Sequence, residues 1–329
     1  MTGHPVPKIE SSPTICRRRG CWLLLWMVAL GLVYGCQKEE TVVAHTLQTI
    51  IGDAQVEKVT AGFQFTEGPV WVPDGYLLFS DIPANRIYKW VPGASQAEVW
   101  REPSGHSNGL TLDRKGRLLA CEHDRRVSRT GADGTVAAIA ERYQGNRLNS
   151  PNDIVVHSDG SVYFTDPPYG LPEQKKGKEL EFNGVFRLAP DGTLTLLDDT
   201  FERPNGLAFS PDESILYVDD SYGGHIRAFD VLDDGTLANG RIFADLKNPD
   251  AEGVPDGMKV DIAGNVFCTG AGGIWVIAPS GEVLGVIKVP EVPANLAWGG
   301  DDLKTLYITA RTGLYRIETQ TGGAPLVAE

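Results

Sequence analysis

The chain carries six copies of one sequence pattern, and this repeat limits its fold more than any other feature. In each copy a polar residue opens a short apolar stretch, a turn residue follows seven positions later, and two further apolar stretches come after it. Successive turn residues are 41, 44, 53, 51 and 39 positions apart. One unit of three or four short antiparallel strands cannot bury its own faces, so the copies must close into a ring. The repeat therefore predicts an all-β fold, a six-bladed β-propeller.

The composition agrees with this fold and excludes one class of partner. The 38 glycines and 21 prolines supply the turns that many short strands require. A net charge of −13 leaves no basic stripe to neutralise phosphates, so nucleic acid is not expected as a partner. No protein partner is evident from the sequence.

The polar residue that opens each copy is a candidate functional position. In a propeller the innermost strand of each blade begins at one mouth of the central channel, so the six residues should face one another there. Each of them carries a side-chain oxygen, and they are Glu67, Asn108, Asn152, Asn205, Asp256 and Asn295. Asn and Asp also begin strands because they favour turns, which explains single copies but not six.

Six converging oxygens, two of them charged, would repel one another unless a cation lay between them. Ca²⁺ takes about six to eight oxygen ligands in flexible geometry, whereas zinc would require His or Cys at these positions. We therefore predict one central divalent cation, with Ca²⁺ favoured. The second strands of four blades end in Asp81, Glu122, Asp166 and Asp220. These acids either hold the ligands in position or are ordinary charges at hairpin ends.

The N-terminal part of the chain predicts export. Three arginines at positions 17–19 precede an apolar run, residues 21–35, that is too short for a comfortable membrane span. The run closes with "LVYGC", which is similar to a lipoprotein signal and makes Cys36 a candidate for lipidation and for attachment to a membrane surface. A plain secretory signal and an uncleaved anchor are the alternatives. The predicted organisation is an export signal at 1–36, a linker at 37–50 and the propeller at 51–329.

Two cysteines, Cys121 and Cys268, fall within the propeller repeats. They belong to the second and fifth copies, which are opposite in a ring of six. A disulfide requires Cα atoms within about 7 Å of each other, so both cysteines are predicted to be buried free thiols. The stretch "AQVEKVTAGF", before the first copy, is predicted to complete the last blade.

Several motifs resemble the gluconolactonase and regucalcin (senescence marker protein) family from about residue 60 to 320: "TEGPVW", "RLNSPNDIVV", "DGSVYFTDPPYG", "RPNGLAFSPD" and "VPDGMKVD". The resemblance implies a six-bladed propeller with one catalytic divalent cation and lactone hydrolysis as its activity. It places the metal ligands at Glu67, Asn152, Asn205 and Asp256, with Asp256 also handling the proton. It suggests Asn108 and Arg147 as substrate contacts.

His106 and His123 lie at the same predicted mouth and are further candidates for substrate contact. The segment at 167–183 lengthens the third copy, either as a lid or as a plain surface loop. The predicted reaction opens a sugar lactone, such as D-glucono-1,5-lactone, by attack of water on a carbonyl that the cation polarises. The alternatives are a phosphotriesterase- or arylesterase-like hydrolase at the same site, and a non-enzymatic propeller that binds sugars or proteins. Related metal-binding propellers, such as paraoxonase and diisopropyl fluorophosphatase, illustrate the first alternative.

Overall fold

Six four-stranded antiparallel sheets follow one another along residues 45–325, the part of the chain that the computed structural model describes. The first helix is α1 (Leu47–Ile51) and the first strand is β1 (Glu57–Ala61), which joins the last sheet. Blade one contains β2 (Thr66–Val72), β3 (Tyr76–Asp81), β4 (Arg86–Trp90) and β5 (Glu98–Arg101). Blade two contains β6 (Ser107–Leu112), β7 (Leu118–Glu122), β8 (Arg126–Thr130) and β9 (Val136–Ala140).

A short hairpin separates the second and third blades, formed by β10 (Arg142–Tyr143) and β11 (Asn146–Arg147). Blade three contains β12 (Ile154–Val156), β13 (Val162–Asp166), β14 (Gly184–Leu188) and β15 (Leu194–Asp198), with a short 3-10 helix at Pro172–Gln174 before β14. Blade four contains β16 (Pro204–Phe209), β17 (Ile215–Asp220), β18 (His225–Val231) and β19 (Leu237–Asp245). Blade five contains β20 (Met258–Val260), β21 (Val266–Gly270), β22 (Gly273–Ile277) and β23 (Val283–Ile287).

The sixth blade joins the two ends of the described chain. Its inner strands are β24 (Pro293–Gly299), β25 (Thr305–Ala310) and β26 (Gly313–Glu318), and its outer strand is β1. Strand β1 pairs antiparallel with β26, with Glu57 opposite Arg316 and Ala61 opposite Gly313. The prediction that the segment before the first repeat completes the last blade is therefore confirmed, and this pairing closes the propeller.

The core consists of six apolar clusters, each lying between two neighbouring blades. Successive residues of a strand point to opposite faces, so each strand serves two clusters. In β2, Val70 and Val72 pack against blade two, whereas Trp71 packs against Tyr307 of blade six. Every sheet is covered by a neighbouring blade on both faces. The inner strands therefore consist of nearly continuous apolar residues and show little polar and apolar alternation.

The predicted linker at 37–50 is partly wrong, because its last residues are folded. Helix α1 begins at Leu47, and Ile50 is 1% exposed in the cluster between blades five and six. The backbone of Ile50 also accepts a hydrogen bond from Gln320 N (2.7 Å). The predicted export signal and Cys36 lie outside the described residues.

Two other expectations concern the described part of the chain. Cys121 and Cys268 are both buried and unbonded, one between blades two and three and the other between blades four and five. The prediction of two free thiols is confirmed. Among residues 45–325, none of the helices is long and apolar enough to cross a membrane.

Candidate metal and substrate site

The six residues that open the repeats, here called the ring residues, lie at the beginning of the innermost strands. Four of them lie within the first strand of their blade. The other two, Asn152 and Asp256, lie two positions before the first strand begins. Pairing between the first and second strands is irregular next to Glu67 and Asn295, which allows the ring side chain to turn towards the axis. Five ring residues are buried, and Asp256 keeps partial exposure. The repeat thus brings together the six residues that the sequence singled out.

Glycine follows the ring residue in four blades because the inner strands approach too closely for a side chain. A Cβ on Gly68 would overlap the carbonyl oxygen of Asn108, and one on Gly206 would overlap that of Asp256. The same holds for Gly109 against Asn152, where the distance would be 2.6 Å, and for Gly257 against Asn295. Each ring residue therefore touches the neighbouring blade, which explains how six side chains converge.

Two ring asparagines present side-chain oxygens that have no partner. The Asn205 amide nitrogen donates to Ser221 Oγ (3.0 Å), and Ser221 in turn donates to the Pro255 carbonyl (2.7 Å). The Asn108 amide nitrogen lies 3.4 Å from His123 Nε2. With their nitrogens held in this way, Asn108 Oδ1 and Asn205 Oδ1 are buried without a hydrogen-bond partner. Unpaired buried oxygens are costly unless a positive group approaches them.

Asn295 differs from these two, since its oxygen is already used. Asn295 Oδ1 accepts hydrogen bonds from Leu296 N (2.8 Å) and from Lys259 Nζ (3.4 Å). It is therefore less available to a cation than the oxygens of Asn108 and Asn205. This agrees with the family resemblance, which leaves Asn295 out of the ligand set.

Glu67 and Asp256 form the acidic side of the ring. Their carboxyl groups are hydrogen-bonding neighbours, and Glu67 also accepts a hydrogen bond from Gly68 N (2.7 Å). Burial raises the pKa of both groups, and the charge of Asp153 raises both further. The charge of Glu67 adds to the rise at Asp256, whereas the hydrogen bond from Asp256 works against the rise in the pKa of Glu67. Without a cation the pair therefore retains protons that a bound dication would displace.

The sequence analysis missed two buried carboxylates below the ring, Asp153 and Asp219. Asp153 is 1% exposed and Asp219 is fully buried, and burial together with the charge of Asp153 raises the pKa of Asp219. A signal was available for Asp153, because it occupies the position where four other copies have glycine. With Glu67 and Asp256 they make four carboxyl groups around the channel.

A lysine compensates part of this negative charge from inside the channel. Lys259 Nζ lies 3.9 Å from Asp153 Oδ2 and donates to the Met258 carbonyl (2.8 Å). The side chain of Lys259 is 21% exposed and that of Asp153 is 2% exposed. An ammonium group thus lies beneath the ring, opposite the mouth at which a ligand would enter.

The four acids at the ends of the second strands do not contact the ring side chains. Asp81 accepts hydrogen bonds from Gln64 N (2.9 Å) and Phe65 N (3.1 Å), just before the first ring residue. Asp166 and Asp220 bind backbone amides of the corresponding loops, whereas Glu122 pairs with Arg101 and Arg126. They therefore position the ring only through the backbone, and they are buried rather than solvated.

The preceding residues of two of these strands contact the neighbouring blade instead, because side chains alternate between the two faces of a strand. Ser80 Oγ donates to the Asn108 carbonyl (2.8 Å), and Thr165 Oγ1 donates to the Asn205 carbonyl (2.7 Å).

The donor set fits a hard divalent cation. Two carboxylates and several amide oxygens converge, and two of these oxygens have no other partner. Within residues 45–325 there is no cluster of three or more His, Cys, Asp or Glu side chains arranged as metal ligands. Amide oxygens must therefore complete the coordination, which suits Ca²⁺ and does not suit zinc.

One pentapeptide, residues 105–109, has the G-x-S-x-G spacing of a serine-nucleophile motif. Its central residue, Ser107, is fully buried, and its hydroxyl lies 2.9 Å from Ser80 Oγ. The motif here begins strand β6 instead of joining a strand to a helix. Ser107 cannot reach a substrate, so direct attack by water stays the expected reaction.

The remaining predicted contacts surround the mouth. His106 Nδ1 is bound to Asp124 Oδ1 (2.9 Å), and both side chains are about half exposed. Burial lowers the pKa of His123 to about 4, so its imidazole is neutral beside Asn108. Arg147 Nη2 donates only to the Asp124 carbonyl (3.3 Å). These residues line one side of the mouth without touching Glu67 or Asp256.

The segment at 167–183 forms a wall of the mouth and is held at both ends. Ser150 Oγ donates to the Pro167 carbonyl (2.6 Å), and Asn149 Nδ2 donates to the Phe182 carbonyl (3.0 Å). Tyr169 on this segment was missed by the sequence analysis. Burial and the nearby carboxylate of Asp256 raise the pKa of the Tyr169 phenol, which therefore stays a hydrogen-bond donor beside the ring.

Comparison with known proteins identifies the family. The SMP-30/Gluconolactonase/LRE-like region matches residues 65–312. A gluconolactonase from Zymomonas mobilis is 37% identical over 293 residues, 82% of this chain and 82% of that protein. A pentonolactonase from Haloferax volcanii is 31% identical over 254 residues, 75% of this chain and 81% of that protein. The solved structure of a gluconolactonase from Xanthomonas campestris matches with a TM-score of 0.76 and 36% identity, over 83% of this chain and 92% of that one. The chain therefore belongs to the SMP-30/gluconolactonase/LRE-like family.

Proposed function

We propose that this protein is a metal-dependent lactonase that opens sugar lactones to the corresponding hydroxy acids. The observation that carries the proposal is the ring at the mouth of the channel, where two carboxylates lie with two amide oxygens that have no partner among residues 45–325. Relatives named gluconolactonase and pentonolactonase support the substrate class.

The cation would be held by Glu67, Asn152, Asn205 and Asp256, and Ca²⁺ is the ion that this donor set favours. When bound, it would polarise the lactone carbonyl and stabilise the negative charge that develops on its oxygen. The two carboxylates together match the charge of a dication.

The protein's own residues divide the remaining tasks. Asp256 is the ring carboxylate with partial exposure, so it is the one that water at the mouth can reach, and one of its oxygens accepts the proton of the attacking water. Glu67 is 2% exposed and cannot take this role. The Tyr169 phenol can donate a hydrogen bond to a substrate oxygen, and the free Oδ1 of Asn108 can accept one from a substrate hydroxyl.

A substrate panel tests the proposal. The purified chain, with and without chelator, is assayed for acid release from D-glucono-1,5-lactone, from an aromatic lactone and from a phosphotriester. We expect the sugar lactone to be hydrolysed fastest and the rate to fall to the spontaneous level in chelator. Faster turnover of the phosphotriester would favour the phosphotriesterase alternative. Sugar binding without turnover of any compound would favour a binding protein.

We further propose that the chain is exported and anchored through lipidated Cys36. The arginines at 17–19, the short apolar run and the small residue before Cys36 support this. An exported lactonase would meet substrates outside the cytoplasm.

A further inference from the structure

We propose that the preferred lactone carries an anionic group, a carboxylate or a phosphate, and that a basic pocket beside the ring binds this group. The inference rests on the proposed lactonase function and narrows its substrate class. It is drawn from a cavity that the metal centre does not use.

The pocket has a volume of about 470 Å³ and opens beside the second and third blades. Its charged and polar lining consists of His123, Asp124, Arg125, Arg147 and Lys176. The residues come from the loop after β7, from β11 and from the segment at 167–183.

This pocket adjoins the ring. His123 lines it and lies 3.4 Å from the amide nitrogen of the ring residue Asn108. Gly170, on the opposite wall, packs directly against His123, since a Cβ on Gly170 would lie 2.5 Å from the Cβ of His123. Since His123 contacts Asn108 on one side and lines the pocket on the other, a substrate bound at the ring would have the pocket beside it.

Two of the three cationic side chains of the pocket form no ion pair within the described residues. Neither Arg147 nor Lys176 has a carboxylate oxygen within 4.0 Å among residues 45–325. Asp124, the carboxylate of the lining, is already bound to His106 (2.9 Å). His123 is neutral because burial lowers its pKa to about 4.

Arg125 contributes little to ligand binding because its guanidinium is already used. It donates to the Leu148 carbonyl (2.7 Å) and the Gly177 carbonyl (2.9 Å), and it lies 3.5 Å from Glu179. Arg125 thus stabilises the segment at 167–183 that forms one wall of the pocket. Arg147 and Lys176 are left to meet a ligand.

Two unpaired cations at a mouth are informative in a chain whose net charge is −13. The overall charge repels anions, so a local basic pocket is the feature that would select an anionic substrate. A guanidinium matches a carboxylate or a phosphate with two parallel hydrogen bonds, and an ammonium adds a mobile point charge. Neutral sugar hydroxyls do not require either group.

Matched substrates test the proposal. The pairs are 6-phospho-D-glucono-1,5-lactone against D-glucono-1,5-lactone, and D-glucaro-1,4-lactone against D-glucono-1,4-lactone. The wild-type protein is expected to show a higher kcat/KM for the anionic member of at least one pair. The pair with the larger ratio identifies whether the bound group is a phosphate or a carboxylate.

Two variants and one control locate the effect. In Lys176→Gln and Arg147→Gln the ratio of anionic to neutral kcat/KM should fall about tenfold or more, because a charge-assisted hydrogen bond is lost. The ratio should also fall with added salt in the wild type and respond less in the variants. The control is Lys175→Gln, which changes the adjacent lysine that does not line the pocket and should leave the ratio unchanged.

Binding of the products provides a readout that does not depend on turnover. Calorimetry should show 6-phospho-D-gluconate or D-glucarate binding more tightly than D-gluconate, and Lys176→Gln should remove the difference. Equal product affinities together with an unchanged kcat/KM ratio in both variants would overturn the proposal. If no lactone is hydrolysed, the lactonase function fails, and the pocket is judged by product binding alone.

Discussion

Lys259 Nζ lies 3.9 Å from Asp153 Oδ2 inside the channel, in a contact between the fifth and third blades. Asp153 Oδ2 also lies 3.5 Å from Asn295 Nδ2 of the sixth blade. Because Lys259 also donates to Asn295 Oδ1, the three side chains tie three blades together beneath the ring.

Replacing this lysine should destabilise the protein. Lys259→Met leaves the carboxylate of Asp153 buried without its partner, and we expect a loss of about 2–4 kcal/mol in the free energy of unfolding. Urea denaturation of the chelated protein measures it. The matched control is Lys288→Met, an exposed lysine that contacts only the Gly272 carbonyl, for which a change below about 0.5 kcal/mol is expected.

A double variant separates pairing from packing. If Lys259 and Asp153 are energetically coupled, Asp153→Asn combined with Lys259→Met should cost less than the sum of the single changes. Strictly additive costs would show that Lys259 acts through its packing alone.

The sequence predicted the ring but not this charge network, for a physical reason. Each repeat copy carries its own signals, so the positions of Glu67 and Asp256 follow from counting along one strand. Asp153 and Lys259 are 106 residues apart in the chain, and their roles depend on a contact between two different blades. No local pattern encodes such a contact.

The second-strand acids illustrate a different limit. Asp220 and Asp219 are adjacent in the sequence, yet one binds loop amides and the other is buried below the ring. Their roles depend on which face of the strand each side chain lies on, and a change of one residue reverses the faces. The sequence located the strand end, but it left open whether Asp220 positions the ring or is an ordinary charge at a hairpin end.

The stability of the metal-free protein should fall as pH rises from about 5 to 7. Burial raises the pKa of Asp166 to about 7, and it also raises the pKa values of Glu67 and Asp256. The folded state therefore binds more protons than the unfolded state between the ordinary carboxyl range and pH 7, so deprotonation favours unfolding. His123 acts in the opposite direction over part of this range, because its lowered pKa of about 4 lets the unfolded state bind one more proton up to about pH 6.5. The three carboxyl groups with raised pKa values outweigh this single group, and carboxyl groups with lowered pKa values, such as Glu291 at about 2, act only at lower pH.

Thermal unfolding at pH 5 and pH 7 in chelator measures this effect, which should be on the order of 1–3 kcal/mol. Added Ca²⁺ should remove most of the difference, because a bound dication favours the charged forms of Glu67 and Asp256. The residual difference should disappear in Asp166→Asn. A metal-free protein that is more stable at pH 7 than at pH 5 would contradict the prediction.

Cys36→Ser should change where the protein is found. If Cys36 is lipidated, the wild type should partition into detergent and its mature N-terminal peptide should carry acyl groups, whereas the variant should not. Detergent partitioning and mass spectrometry of the N-terminal peptide are the measurements. A wild-type mature chain without acyl groups that begins at another residue would refute the anchor and leave export itself untouched.

Replacing each ring carboxylate by its amide should change a different quantity, kcat for Asp256 and Ca²⁺ affinity for Glu67. Asp256→Asn removes the proton acceptor but keeps an oxygen at the ring, so kcat should fall by about 10²- to 10⁴-fold with a smaller loss of metal affinity. Glu67→Gln removes a buried charge from the ligand set, so Ca²⁺ affinity should fall first, by about tenfold or more, and excess Ca²⁺ should restore part of the activity. Calorimetric Ca²⁺ titration and acid release from D-glucono-1,5-lactone, corrected for its spontaneous hydrolysis, distinguish the two.

Asn295→Asp is a useful comparison, since Asn295 Oδ1 is already bound to Leu296 N and Lys259. Full activity in Asp256→Asn, or recovery of that variant by excess Ca²⁺, would assign the proton transfer to a group other than Asp256.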